Sequence, residues 1–508
     1  MGDHAPLATA TTLPRALAAG GRALAAAERP VDLDRLSEGQ REAVLAPDGP
    51  LLITAGPGTG KTATVAERIA HLVRAGRASL TDVLALTFSR AAARTLSARL
   101  AARLGPAGAA IQATTFHAIG LGVIQRWQRE LGYGEAELRV LDGPDTRALL
   151  LLALGTDPLD PPEETIPALA AAIDDARLAA AQGIAAMAGV AAVAATYERL
   201  LRERGAIDFL SMLAEPLRLF RERPDILGLY QAAYRWVFAD ECQDVSPPQY
   251  ALLRLLAAGH GNLTVVGDAC QTLYEWRGAD PAFLLDFAAA YPEARTVALT
   301  ENFRSTGNIL AVANGLGAAL PYGHRLWTTN APGPVPIIRA ARDPTAEADY
   351  VAAEIVRLLA DGALAHPREA AVLARTNLQA EPLRVALRGR GLPCGSEAVG
   401  SDGVRVATIH AVKGGEWRVV FVAGVEDELL PHRHALEAEA AGDSAGAAAL
   451  AGELHAAYVA VTRPRERLYL THCERREDTE PGGRAAARAC RPSRFLALLP
   501  AGCLDRVA

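Results

Sequence analysis

The chain has 508 residues, 50% of them apolar and 22% charged, with a formal net charge of −6. That length exceeds one ordinary hydrophobic core and predicts two or more domains, while no apolar run reaches the length of a membrane span. The six cysteines are scattered without a CxxC pair, which speaks against a zinc ribbon, an iron–sulfur cluster or a disulfide framework and for a reducing cytoplasm.

Residues 1–36 carry an early acidic residue and no continuous apolar segment, and read as a flexible tail, not a secretory leader. Apolar, β-rich runs then alternate with helical stretches, at 51–54, 83–88, 111–116, 237–240, 263–268 and 296–300. This is the pattern of a parallel sheet with helices on both faces. The Ala/Leu-rich stretch 119–197, with Pro158, Pro161 and Pro162, reads as a helical insertion that divides the first domain into 37–118 and 198–300. A second α/β series follows over 301–500, with strands at 335–340, 370–376, 404–410, 419–425 and 467–472 and a helix over 347–359. The low-complexity tract 435–450 reads as a surface loop or weak helix, and 501–508 as a tail. The expected fold class is α/β, two domains with parallel sheets.

Only two of the 52 Lys+Arg residues are lysine, Lys61 and Lys413. A compact ammonium survives at two places where a planar guanidinium fork would not fit. Lys61 closes the run Ala55-Gly56-Pro57-Gly58-Thr59-Gly60-Lys61-Thr62, a P-loop with Ala55 at the first glycine position, between a strand and a helix. Backbone N–H groups of such a loop cradle phosphates. Lys61 would reach the β- and γ-phosphates and Thr62 would ligate Mg²⁺; Thr64 is counted with the nucleotide-binding residues. Downstream, an apolar strand ends in Asp240-Glu241. Asp240 can hold Mg²⁺, directly or through water, while Glu241 orients and deprotonates the attacking water. An acidic pair at a strand end is ordinarily just solvated; behind a P-loop it is specific. ATP and Mg²⁺ are the expected cofactors.

Further motifs follow in order: TFSRAAARTLSARL (87–100), TTFHAIG (114–120), DECQD (240–244), VVGDACQTLYEWRGAD (265–280), LTENFRS (299–305), ATIHAVKGGEW (407–417) and YVAVTRPRERL (458–468). With the P-loop, this set resembles superfamily 1 DNA helicases of the UvrD/Rep/PcrA kind, over roughly residues 37–500. The resemblance implies two RecA-like P-loop domains with a 1B-like insertion in the first. It also implies ATP hydrolysis coupled to 3′→5′ movement along single-stranded DNA or a 3′-tailed duplex. Gln243 and Gln271 are amides suited to sensing the γ-phosphate or its attacking water. Arg304 and Arg463 belong to the second α/β half; presented across an interdomain cleft, such arginines are worth on the order of 10³–10⁵ in rate. By resemblance, Gln40 would read adenine, Phe303 would stack on the base where relatives have Tyr, and Glu416 would contact the sugar. Lys413 lies in the same loop as Glu416, where it can bridge to a carboxylate near the metal site or touch DNA.

Tyr274 and Trp276 alternate beside Arg277, directly after Gln271, and supply faces on which bases stack without sequence readout. Core packing is the commoner fate of such aromatics. Phe88, Thr115, His117 and His410 sit in motifs that line the single-strand channel in relatives. Where larger relatives insert a mobile subdomain called 2B, this chain has only a loop near 394–403. Cys270, Gly415 and Pro464 depart from the family pattern, as does Leu454-His455-Ala456, without touching the catalytic set.

Three functions compete. The first is a helicase in repair, replication restart or phage defence. The second is a translocase that unwinds poorly without a nuclease or repair partner, which the missing subdomain motivates. The third is a nucleotide-gated DNA-binding subunit with little turnover, against which the intact Asp240-Glu241 pair and both arginines speak. No clustered Asp/Glu/Lys constellation suggests a nuclease in the same chain.

Overall fold

The apolar runs form two parallel sheets in the computed structural model, which describes residues 32–155, 166–274, 279–396, 402–442, 444–478 and 486–507. The first sheet has six strands, in the order Gln112–Thr115, Val83–Thr87, Trp236–Ala239, Leu263–Gly267, Leu51–Ala55, Arg295–Leu299. Val83–Thr87 and Trp236–Ala239 run parallel with Ala85 opposite Phe238, and both are buried along their whole length. A strand covered on both faces has no polar side, which is why these runs are continuously apolar. The helix Glu38–Leu45 opens with a capping box in which Ser37 and Gln40 exchange side-chain and backbone bonds. It is tied down by Arg68, which is fully buried in the helix Lys61–Arg74. Arg68 Nη1 donates to Ala43 O at 3.0 Å and Ala46 O at 2.9 Å, and burial pushes its pKa down to about 10.

The helices Gly143–Leu154, Ile166–Gln182 and Ala188–Glu203 bury a cluster of their own that includes Leu150, Ile173, Tyr197 and Leu201. Beside it lies a buried ion pair. Arg177 donates from Nη1 to Asp208 Oδ2 at 2.8 Å and from Nη2 to Asp208 Oδ1 at 3.1 Å and Ser211 Oγ at 3.0 Å. Tyr197 Oη adds a bond to Asp208 Oδ2 at 2.9 Å. Burial alone would raise the Asp208 pKa, but the Arg177 charge and the bonds from Arg177 and Ser211 outweigh it and hold the carboxyl below its ordinary range.

The second sheet has seven parallel strands, ordered Cys394–Gly395, Val404–Thr408, Ala370–Ala374, Trp417–Val422, Pro464–Cys473, Ile337–Ala341, Asp505–Val507. The two edge strands escape the sequence pattern because they are too short to show a period. Of the two readings of the tract 435–450 the helical one holds for most of its described residues, which fall in the helices Arg433–Ala441 and Ser444–Val461. Ala, Glu and Leu are strong helix formers, and the second helix ends in the core, where Ala457, Val459 and Val461 are buried.

The chain falls into two compact units. One comprises Thr62–Val266 with the described residues of Met1–Ile53 and Gly278–Val297; the other comprises Thr54–Lys61, Ala298–Ala508 and Gly267–Arg277, again as far as described. No described helix is long and apolar enough to cross a membrane. All six cysteines are free.

Candidate functional site

The P-loop begins at the end of strand Leu51–Ala55 and leads into the helix Lys61–Arg74. Gly58 and Gly60 have φ of 72° and 83°, a left-handed conformation that glycine alone adopts without steric cost. Gly58 is also short of space: a Cβ there would stand 2.5 Å from Asn302 Nδ2 and 2.7 Å from Arg304 Cβ. The loop braces itself through Thr59 Oγ1, which donates to Gly56 O at 2.8 Å. Lys61 Nζ donates to Ala55 O at 3.1 Å and to Gly56 O at 3.3 Å.

Sequence reasoning passes over Asn302, yet this buried amide clamps the loop. Its Nδ2 donates to Pro57 O at 2.7 Å, while its Oδ1 accepts from Arg304 N at 2.9 Å and Ser305 N at 2.8 Å. Phe303 N donates to Gly58 O at 2.9 Å, and the Phe303 ring is exposed. The signal available in the sequence was an asparagine, a turn-forming residue, immediately before Phe303-Arg304.

Arg304 donates from Nε to Glu416 Oε2 at 2.6 Å and from Nη1 to Thr462 O at 3.1 Å. The arginine and the carboxylate that the family resemblance gave separate roles are thus paired. Arg463 is buried. It donates from Nη2 to Gln271 Oε1 at 2.8 Å and to Thr462 Oγ1 at 3.0 Å, and from Nε to Val459 O at 2.9 Å. Gln271 Nε2 in turn donates to Asp268 Oδ2 at 2.6 Å, completing the line Asp268–Gln271–Arg463. Lys413 Nζ meets the backbone carbonyl of Gln271 at 2.5 Å and lies over the Tyr274 ring. Tyr274 is half-buried, packed against the core of its unit, and its Oη donates to His410 O at 3.1 Å. Burial, reinforced by Arg375 and Lys413 and opposed by Glu453, pushes the His410 pKa down to about 4, so the ring is neutral at pH 7. Trp276 and Arg277 lie outside the described residues.

In the other unit, Thr62 Oγ1 donates to Asp240 Oδ2 at 2.7 Å. Asp240 is buried at the end of an apolar strand and accepts Glu241 N on Oδ1 at 3.0 Å. Gln243 Nε2 donates to Glu241 Oε2 at 2.6 Å. Glu241 has φ 55° and ψ 45°, a left-handed conformation that costs a non-glycine residue roughly 1–3 kcal/mol and that clusters at functional sites. A hydroxyl and a carboxylate in contact are hard oxygen donors of the kind Mg²⁺ takes. Gln40 has its side-chain oxygen engaged by the capping box, and Thr64 is buried in its helix.

Phe88 is half-buried. Thr115 caps the helix Phe116–Arg126, its side chain accepting Ala118 N at 3.3 Å. His117, whose pKa burial lowers, meets the Phe209 ring edge-on at 6.0 Å between centroids. Phe209 is 63% exposed although its neighbours Asp208 and Ser211 are buried in the Arg177 network. It too escapes sequence reasoning, its only trace being an aromatic set in the short run Asp208-Phe209-Leu210-Ser211.

The UvrD/REP helicase N-terminal domain model matches residues 36–292, and the UvrD-like helicase C-terminal domain model matches 297–401 and 394–475. The ATP-dependent DNA helicase UvrD2 of Mycobacterium tuberculosis is 32% identical over 587 aligned positions, covering 91% of this chain and 81% of the relative. The ATP-dependent DNA helicase PcrA of Staphylococcus epidermidis is 34% identical over 368 positions, 70% of this chain and 50% of the relative. PcrA of Staphylococcus aureus is 33% identical over 375 positions, with 71% and 50% covered. The two family models together run from residue 36 to residue 475, from the P-loop to YVAVTRPRERL, and the chain belongs to the UvrD/REP helicase family.

Proposed function

We propose that this protein is an ATP-dependent motor that moves 3′→5′ along single-stranded DNA and acts on 3′-tailed duplexes in the cytoplasm. The observation that carries the hydrolytic half is the bond from the P-loop hydroxyl of Thr62 to Asp240, with Glu241 beside it held by Gln243. Family membership carries the DNA half. Ala55, Gly56, Gly58, Thr59 and Gly60 cradle the triphosphate, and Lys61 neutralises it. Mg²⁺, held through Thr62 and Asp240, supplies further charge neutralisation at the phosphates. Glu241 takes the proton of the attacking water on its carboxylate, and Gln243 fixes that carboxylate's direction. Arg304 and Arg463 stabilise the charge of the transferring phosphoryl, while Gln40, Phe303 and Glu416 bind the nucleoside.

On the DNA side, Tyr274 and Trp276 supply stacking faces beside Arg277, Phe88, Thr115, His117 and His410 are further DNA-contacting residues, and Phe209 is added to them as an exposed ring beside His117. Tyr274→Ala and Phe209→Ala are each expected to weaken binding of labelled poly(dT) by about 1–3 kcal/mol, read by fluorescence anisotropy. The motor reading itself is tested by steady-state ATP hydrolysis with and without poly(dT). Strong stimulation of the wild type is expected; a flat, DNA-independent rate would sink it.

A second reading, a translocase that relies on a nuclease or repair partner for strand separation, is favoured by one local feature. Cys394 and Val404 are paired on adjacent parallel strands, and Val404 N donates to Pro393 O at 2.8 Å, so only a short connection stands at this point. The 587-position alignment with the mycobacterial relative exceeds the 508 residues of this chain, so that relative carries residues with no counterpart here. Efficient unwinding of a 3′-tailed duplex by the purified protein alone would exclude a required partner. Repair, replication restart and phage defence are the processes such a motor would serve.

A further inference from the structure

Lys413 is one of only two lysines in the chain, and the phosphate chemistry above uses the other. Lys413, Gln271, Tyr274 and Arg463 belong to one unit. The ammonium donates to the backbone carbonyl of Gln271 at 2.5 Å and stands 5.4 Å from the centroid of the Tyr274 ring. Two groups it touches are the two ends of one short segment, residues 271–274. At the first end, the Gln271 side chain holds the Arg463 guanidinium at 2.8 Å and is itself oriented by Asp268. At the second end, Tyr274 is anchored through its hydroxyl to His410 O.

Both contacts depend on the geometry of the same segment. A cation over an aromatic face gains roughly 0.5–2 kcal/mol, and the gain falls as the ring moves away. A charge-assisted bond to a carbonyl is similarly directional. Displacing the ring therefore changes the position of the ammonium, and the ammonium bears on the carbonyl of the residue that orients Arg463. A guanidinium has a wide planar footprint, which fits poorly between a carbonyl and a ring face; in a chain otherwise written with arginine, lysine is retained here. His455, buried nearby with its pKa pushed down to about 4 by burial, is neutral and does not substitute for this charge.

We infer that Lys413 is a positioning residue that links the aromatic, DNA-stacking end of the 271–274 segment to its arginine-holding end, so that ATP turnover responds to single-stranded DNA. The inference rests on the motor reading above and deepens it. It is tested by measuring ATP hydrolysis against poly(dT) concentration for the wild type, Lys413→Met, Tyr274→Leu and the double variant. The plateau of stimulation and the poly(dT) concentration giving half of it are read separately. Lys413→Met is expected to lower the plateau by about tenfold while the KM for ATP stays within about threefold. The double variant is expected to be no worse than Tyr274→Leu alone, since one link is cut in both. Losses that multiply would overturn the inference, as would a loss confined to the half-saturating poly(dT) concentration, which would make Lys413 a direct DNA contact. Should Lys413→Met prove too unstable to purify, Lys413→Arg carries the same test: a lowered plateau supports the inference, and an unchanged plateau overturns it. A wild type that poly(dT) does not stimulate fails the motor reading and the inference together, whereas a stimulated wild type with additive variants fails the inference alone.

Discussion

Arg463→Ala is expected to lower DNA-stimulated ATP turnover by on the order of 10³-fold, the lower end of what a transition-state arginine contributes. The side chain is rigid before any chemistry. Its Nε is fixed by Val459 O, and its Nη2 is shared between Gln271 Oε1 and Thr462 Oγ1. A guanidinium held in this way needs no reorganisation as charge develops on the transferring phosphoryl, which is the condition under which electrostatic stabilisation is strongest. Truncation to alanine also leaves the Gln271 oxygen and the Val459 carbonyl without this donor, so some destabilisation accompanies it. Arg463→Lys separates the two effects: it keeps the charge but loses the fork, and a bidentate site does not tolerate that exchange. With Arg463→Lys, kcat is expected to fall far more than thermal stability. If kcat and unfolding midpoint fell only together, in proportion across both variants, Arg463 would be a structural residue and not a catalytic one. Arg304 is less constrained because its Nε is paired with Glu416, a partly exposed carboxylate. Glu416→Gln should therefore alter the Arg304 environment as well as any nucleotide contact, and its effect should change when Arg304 is already replaced.

The second large effect is on stability. Arg177→Ala is expected to destabilise the first unit by about 3–5 kcal/mol at neutral pH, the usual consequence of removing one partner of a buried ion pair. Asp208 would keep its buried charge with Tyr197 and Ser211 as donors but without its counter-ion. The sign of the pH dependence follows from the depressed carboxyl. Because the folded pKa of Asp208 lies below its unfolded value, the stabilisation is present above the ordinary carboxylate range and is lost as pH falls through the folded value. In Arg177→Ala that depression disappears, so the gap between wild type and variant should be widest near pH 7 and narrow below about pH 4. Urea unfolding followed at several pH values measures it. Replacing both partners, Arg177→Met with Asp208→Asn, should cost much less than Arg177→Ala, because no unpaired charge is left behind. A gap that stays constant with pH would mean that packing of the arginine stem, and not the ion pair, dominates. The same network fixes the turn carrying Phe209, so the variant should also show weakened poly(dT) binding at temperatures where it remains folded.

The parts legible in the sequence are those whose residues are neighbours in the chain. The P-loop is eight successive residues between a strand and a helix, and its glycines are required locally by φ at Gly58 and Gly60. Asp240-Glu241 is read from an apolar strand that must end where two carboxylates begin. The strands Val83–Thr87, Trp236–Ala239 and Ala370–Ala374 are announced by near-continuous apolar runs, because burial on both faces leaves few polar positions to interrupt them. The edge strands Cys394–Gly395 and Asp505–Val507 are missed because two or three residues carry no period, and the 435–450 tract is left between loop and helix because low complexity hides a strong helix propensity.

What the chain could not disclose on its own is which distant side chains meet. Lys413 and Gln271 are 142 residues apart, Arg463 and Gln271 192, and Asn302 and Pro57 245. No local pattern specifies these pairs, since an amide or an arginine looks alike whether it is solvated or buried against a chosen acceptor. The sequence by itself determined the class of chemistry: a nucleotide loop, a paired carboxylate and the ordered motifs of one helicase family. Only the tertiary structure decided that Asn302 clamps the P-loop, that Arg304 rests on Glu416, that Phe209 stands exposed beside His117, and that the second lysine bridges a glutamine and a tyrosine. Spacing along a chain sets what residues can do, whereas the packing of the fold sets which partners they do it with.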